Sequence, residues 1–259
     1  MTNALATILA AAETTDTGLR TQVPADWKQG RTAYGGFSAA LALAAAHRVA
    51  PDLPPLRSAQ IAFVGPLDGA IAVSAQTLRR GRNAAFVQAD VTGEAGLGMR
   101  ATFVFMSARN SAIGHGAADP APVAAPAADA RCFSGPPGFF ASNFDYVDPL
   151  PADPAPAEWL RWTRLHERDG LDPMVELMAI GDALPPGAMR LAGLGGMPVS
   201  SLNWHINLLT AAPATRDGWW LLGTRADHVG DGFSSQRMAI WNADGAMVAE
   251  AIQAVAIFG

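Results

Sequence analysis

Four stretches of the chain combine residue types that could do chemistry. "IGDALPP" (180–186) ends an apolar run on Asp182, the only carboxylate between Glu176 and Asp217. A partly buried carboxylate has a raised pKa and serves as a general base near neutrality. "SLNWHINLL" (201–209) opens on Ser201 and carries Asn203 and His205, and "AIQAVAIF" (251–258) is an apolar strand interrupted by Gln253. Ser and Gln side chains are no bases at neutral pH, but they hydrogen-bond and so aim a water molecule. A buried amide such as that of Gln253 also needs partners of its own. The fourth stretch, "TAYGGFSAALALAAAHRVAP" (32–51), begins with Tyr34-Gly35-Gly36. Free N–H groups at a helix N-terminus point outward at the positive end of the dipole. With no Cβ at either glycine a ligand carbonyl approaches closely, and donors aimed at a developing oxyanion are worth about 10² to 10³ in rate.

Each stretch also has a plainer reading. The glycines could serve close helix–sheet packing, and Asp182 could cap a helix started by Pro185-Pro186. Ser201 could be an ordinary strand residue, matched by Ser58 in the first half, and Gln253 could make a structural hydrogen bond. His205 reads as a satisfied structural histidine. Asp227 and His228 suggest an acid–base pair, yet neighbours on a strand point to opposite faces. "HVGDGFSS" (228–235) has no following Lys and reads as a turn before a strand rather than a phosphate loop. The five histidines and one cysteine show no metal-ligand spacing, and "GFSAA" lacks the last glycine of a nucleophile elbow.

The elements that must hold these residues are legible. Gly35 to Val49 reads as a helix of roughly 22 Å with no polar face, hence buried. A second helix runs from Met174 to Asp182, with Asp172 as cap and Pro173 in its first turn. Ser201 to Leu208 alternates, placing Ser201, Asn203, His205 and Asn207 on a polar face and Leu202, Trp204, Ile206 and Leu208 on a packed one. After each helix comes a similar series: a Ser-led strand, a turn, a longer strand, and a hairpin turning at "TGEAG" (92–96) or "NADG" (242–245). The chain therefore reads as a tandem α+β repeat of antiparallel sheets, each around a buried helix. The expected units are 1–107, an Ala/Pro-rich connection 108–156, and 157–259. Phe133, Phe139, Phe140, Phe144 and Tyr146 are expected to tie that connection to the body.

Half of the 259 residues are hydrophobic, 16% are charged, and the net charge is −5. A sizeable core is expected, and no basic stripe suggests a nucleic-acid partner. The lone Cys132 excludes an internal disulfide framework and fits a reducing compartment. The short N-terminal apolar run lacks a basic leader, so no secretory signal or membrane partner is expected and the protein reads as cytoplasmic.

A duplicated sheet-and-helix unit carrying Trp27, the Tyr34-Gly35-Gly36 helix start, "IGDALPP", "SLNWHINLL" and "AEAIQAV" (249–255) resembles the double-hotdog acyl-CoA thioesterases of type II and related thioesterase-like proteins. The similarity runs from about Trp27 to the C-terminus, outside the 107–156 connection. It implies two antiparallel sheets each wrapping a helix. It also implies hydrolysis of acyl-CoA or acyl-carrier thioesters without cofactor, metal or covalent intermediate, and a homodimer or higher homo-oligomer. By position, Asp182, Ser201 and Gln253 match the residues that hold a water in that family. Asn203 departs from the family's frequent Asp, and Tyr34 from its Phe or His. Gly35, Gly36, Tyr34 and Asn203 are the expected oxyanion or substrate contacts. The Arg79-Arg80-Gly81-Arg82 cluster is a solvated turn or a seat for coenzyme A phosphates. The other readings are a non-catalytic acyl-thioester or lipid binder and an enoyl-thioester hydratase, the latter resting on Asp227 and His228.

Overall fold

The computed structural model describes residues 3–149, 155–191 and 197–258. The first half runs α1 (Leu5–Ala11), β1 (Glu13–Thr15), β2 (Gly18–Gln22), β3 (Lys28–Gln29), β4 (Thr32–Ala33), α2 (Gly35–Val49), β5 (Leu56–Phe63), β6 (Ala70–Arg80), β7 (Ala84–Gly93) and β8 (Gly96–Met106). The second runs β9 (Phe144–Val147), β10 (Glu158–Leu165), α3 (Pro173–Ile180), β11 (Val199–Leu208), β12 (Trp220–Gly230), β13 (Phe233–Asn242) and β14 (Met247–Ile257). No helix among the described residues is long and apolar enough to cross a membrane.

All strands but β3 and β4 join one antiparallel 12-stranded sheet, ordered β1-β2-β6-β7-β8-β5-β11-β14-β13-β12-β10-β9. The order is palindromic: β5 answers β11, β8 answers β14, β7 answers β13 and β6 answers β12. The repeat read from the sequence is therefore present, but the expected pair of sheets is one continuous sheet. The reason lies at the seam. The Ser-led strands β5 and β11 pair antiparallel, Ser58 opposite Asn207 and Ala62 opposite Asn203. Left apart, each would expose a row of unpaired backbone groups.

Helix α2 has the bounds its sequence suggests, while α3 starts at its expected cap but ends at Ile180, leaving Asp182 in the following turn rather than on the helix. Asp172 Oδ1 accepts from the N–H groups of Met174 at 2.8 Å and Val175 at 3.1 Å, capping α3. Along α2 every residue from Gly36 to Ala46 except Ala44 is buried. A helix with no polar face finds apolar neighbours on all sides: the sheet, α3 and an aromatic cluster. The two helices run antiparallel, with the start of α2 against the end of α3. A Cβ on Gly36 would collide with the Ala179 carbonyl at 2.5 Å, so this glycine is what lets the helices come so close.

The aromatic cluster comes partly from the connection. Tyr34 stacks on Phe140 with ring centroids 4.1 Å apart, and Trp27 stacks on Phe37 at 5.1 Å. Phe144 and Tyr146 lie on β9, which pairs with β10 and forms an edge of the sheet. Farther upstream, Ala121, Val123 and Ala125 pack on Trp162 and Trp241 on the outer side of the second half. Of the connection, residues 150–154 lie outside the described residues. Phe140→Ala is expected to lower unfolding free energy by about 3–5 kcal/mol in urea denaturation, the usual cost of emptying a buried Phe site. A loss below about 1 kcal/mol would show that the connection merely rides on the surface.

Candidate active site

Ser201 reaches the interior because of a bulge. Trp204 pairs with Gln253, Asn203 with Ala254, and then Ser201 with Val255, so Leu202 is the extra residue on β11. Paired residues of neighbouring strands share a face. Ser201 therefore points inward with Trp204 and Gln253, while Leu202 is 43% exposed. The alternation read from the sequence put Ser201 on the same face as Asn203 and His205, and the bulge corrects it. Asn203 faces outward, where its Oδ1 accepts from Ala254 N–H at 3.0 Å. It stitches the bulge and does not line the cavity. His205 also faces outward, 3.3 Å from the Ser58 hydroxyl across the seam.

On the inner face three groups meet. Gln253, 2% exposed, donates from Nε2 to Asp182 Oδ1 at 2.9 Å and to Ser201 Oγ at 3.1 Å. All three side chains line a cavity of about 350 Å³ with Gly35, Ser38, Phe63, Leu67, Met99 and Leu184. Asp182 sits in the turn just after α3, half-buried and lining this cavity. Burial pushes its carboxyl up to about 7, against the opposing pull of the Gln253 amide. A group ionising there is half base and half acid at neutral pH.

Gly35 opens α2 beside Asp182. A Cβ at this position would run into Asp182 Oδ2 and sit 3.0 Å from the Phe63 ring. The missing side chain thus makes room first for the carboxylate and only then for a ligand. Ser38 N–H is the first amide to bond within α2, to Tyr34 O at 3.1 Å, so the amides of Gly35, Gly36 and Phe37 lie in the unbonded first turn. Gly36 does not line the cavity.

Tyr34 is placed differently from the expectation. It is fully buried, its hydroxyl donating to Ala179 O at 2.9 Å, and it does not line the cavity. Burial and the nearby Asp182 carboxylate hold its phenol well above the ordinary range, so it stays neutral. The Arg79–Arg82 turn lies beyond the Met106 end of β8, whereas the cavity lies at the Gly98 end. Eight strand residues separate the two levels by roughly 25 Å. Arg80 instead pairs with Asp52 at 2.8 Å. Asp227 is held by Arg237 at 2.6 Å, and neither it nor His228 lines the cavity. Sequence reading passed over Gln236, which is 1% exposed and hydrogen-bonded to Gln253 at 2.5 Å. A straight count back from the "NADG" turn would place it opposite Ile252; the extra residue Val248 on β14 shifts the register by one and brings it opposite Gln253, so the sequence held no local signal for the pair.

Comparison with known proteins bears on this geometry. A hotdog-fold protein of unknown function from Alicyclobacillus acidocaldarius superposes with a TM-score of 0.81 at 20% identity, over 100% of this chain and 99% of that one. The tesB protein of Mycobacterium avium subspecies paratuberculosis gives 0.76 at 18% identity, over 99% and 100%. An acyl-CoA thioesterase II, TesB2, from Mycobacterium marinum gives 0.73 at 17% identity, over 97% and 96%. At such identities these likenesses establish the hotdog fold alone. No functionally curated protein matches the sequence significantly. The family models are decisive: the acyl-CoA thioesterase N-terminal domain matches residues 23–106, and the C-terminal domain matches residues 115–257. With both domains of the family matched in order over most of its length, the chain belongs to the acyl-CoA thioesterases.

Proposed function

We propose that this thioesterase hydrolyses acyl-CoA-type thioesters by direct attack of a water that Asp182 deprotonates, with no acyl-enzyme. The observation that carries the reading is the Asp182–Gln253–Ser201 cluster at the wall of the cavity. Gln253 is a donor to both partners, so Asp182 Oδ2 remains free to take a proton. Ser201, accepting from Gln253, keeps its own hydroxyl proton to donate toward the cavity. A water seated between Oδ2 and Ser201 would lose its proton to the carboxylate as its oxygen attacks the thioester carbon. The developing oxyanion would lie near the first amides of α2, with Gly35 foremost, and the thiolate would leave toward the open mouth. Collapse of the tetrahedral intermediate breaks the C–S bond and releases the acid, and the proton taken up by Asp182 returns to the thiolate, giving the thiol and restoring the base.

The cavity's apolar wall of Phe63, Leu67, Met99 and Leu184 suits an acyl group, and its volume is at the small end for ligand pockets. The residues of α2 beyond Ser38 that face the sheet are fully buried, Leu41 and Leu43 among them. We infer short acyl groups in preference to long ones.

The test is thiol release from a panel of acyl-CoAs, short to long and aromatic, by wild type and Asp182→Asn. The mutant is expected to lose about 10² or more in turnover, and the panel to favour short chains. Wild-type inactivity on every thioester, or equal rates in both proteins, would overturn the mechanism.

The same substitution has an opposite effect on stability. A carboxyl held near 7 when folded, against 3.8 normally, binds its proton more tightly in the native state. Stability from this group is therefore full below about pH 4 and is lost as pH rises through 7. The upper limit is about 4 kcal/mol, reduced by the water that the cavity admits. Asp182→Asn is expected to be more stable than wild type at pH 8, by a margin that shrinks toward zero near pH 4. Urea melts at the two pH values check this, and a pH-independent difference would contradict it.

A further inference from the structure

We propose that Gln236 is a positioning residue for this site, fixing which way the Gln253 amide faces. The inference rests on the catalytic reading above and extends it to a residue that touches neither substrate nor water. The two ends of a glutamine amide are nearly equal in shape, so packing does not select between them; hydrogen-bond partners do. Here the selection starts from a group with no ambiguity. Gly187 N–H can only donate, and it donates to Gln236 Oε1 at 3.0 Å. Gln236 must then turn its Nε2 toward Gln253, which accepts through Oε1 at 2.5 Å. Gln253 is left with its Nε2 facing Asp182 and Ser201.

The relay is built into the fold. Gln236 and Gln253 are direct cross-strand partners on β13 and β14, both on the inner face. Gly187, just after Pro185-Pro186, approaches so closely that a Cβ would strike the Ala157 carbonyl. Both of Gln253's donors and one of its two acceptor lone pairs are engaged. Were the amide to flip, its carbonyl would face the Asp182 carboxylate and Ser201 would have to donate to it. The base would lose the one side-chain donor it has among the described residues, and the hydroxyl proton would no longer point at the cavity. Gln236 thus sets, at one remove, the proton affinity of the base and the polarity of the serine.

Gln236→Met and Gln236→Asn test this. Both are uncharged, so neither acts on Asp182 by its own field; the first keeps the length without the polar end, the second keeps the amide without the reach. The primary readout is the Asp182 carboxyl titration by ¹³C NMR, with kcat and KM beside it and thermal melting as a control. In either variant that folds, the Asp182 midpoint is expected to move up by about half a unit or more, since the charged form loses a donor. kcat is expected to fall about tenfold or more with KM within about twofold. An unmoved midpoint with kcat within twofold of wild type, even where melting temperature drops, would overturn the proposal and leave Gln236 a structural residue. Because the titration needs no turnover, it decides this inference even if wild type hydrolyses no thioester, a result that would instead sink the reading of the site.

Discussion

The structure turns on one carboxylate kept inside the protein. Asp182 pays for its enclosure with a raised proton affinity, and everything around it moderates that cost. Gln253 donates to one oxygen, and the start of α2 lies against the other with its positive dipole end and no side chain at Gly35. Burial alone would keep the group protonated and useless as a base; full solvation would leave it too weak. The balance places it near neutrality, where a carboxylate serves as a base.

That balance needs both halves of the repeat. The first half gives the helix start, and the second gives the carboxylate, the serine and the amide, brought together because α2 and α3 lie antiparallel. The opposite ends of the same helices form a mirror-related cleft of about 310 Å³ lined by Ala44, His47, Asp172 and Val175, against which α1 lays Leu9. It has no counterpart of the Asp–Gln–Ser cluster. Ser58, the match of Ser201 in the sequence, follows an extra residue of its strand, Arg57, instead of preceding one, and turns outward to His205. The place of one extra residue, after Ser201 on β11 but before Ser58 on β5, separates a serine at the site from a serine on the outer face.

Much of this was legible from local chemistry. The bounds of α2 follow from an uncharged run between Gly35 and Pro51, and the Asp172 cap from a side chain that the first turn needs. The repeat showed in the order of strands and turns. Asp182, Ser201 and Gln253 stood out singly as polar residues in apolar company, although only the fold brings them within hydrogen-bond distance. What sequence alone missed is non-local. Whether two sheets stay apart or fuse depends on β5 meeting β11, which no local pattern states. A bulge is one residue of register and is invisible to an alternation rule, so Asn203 was expected at the site and Ser201 on the wrong face. Tyr34 looked like a substrate contact because its partner, Phe140, lies on a connection more than a hundred residues away. Gln236 escaped because a glutamine on an alternating strand is unremarkable until its cross-strand neighbour is known.

The central claim is that the ionisation controlling hydrolysis is that of Asp182. The direct measurement overlays two wild-type curves: kcat/KM against pH for the most rapidly hydrolysed acyl-CoA, and the carboxyl titration of Asp182 by ¹³C NMR. The account predicts one rising limb near pH 7, coincident with the Asp182 titration. An Asp182 that titrates near 4, or a limb displaced from it, would contradict the assignment of the base.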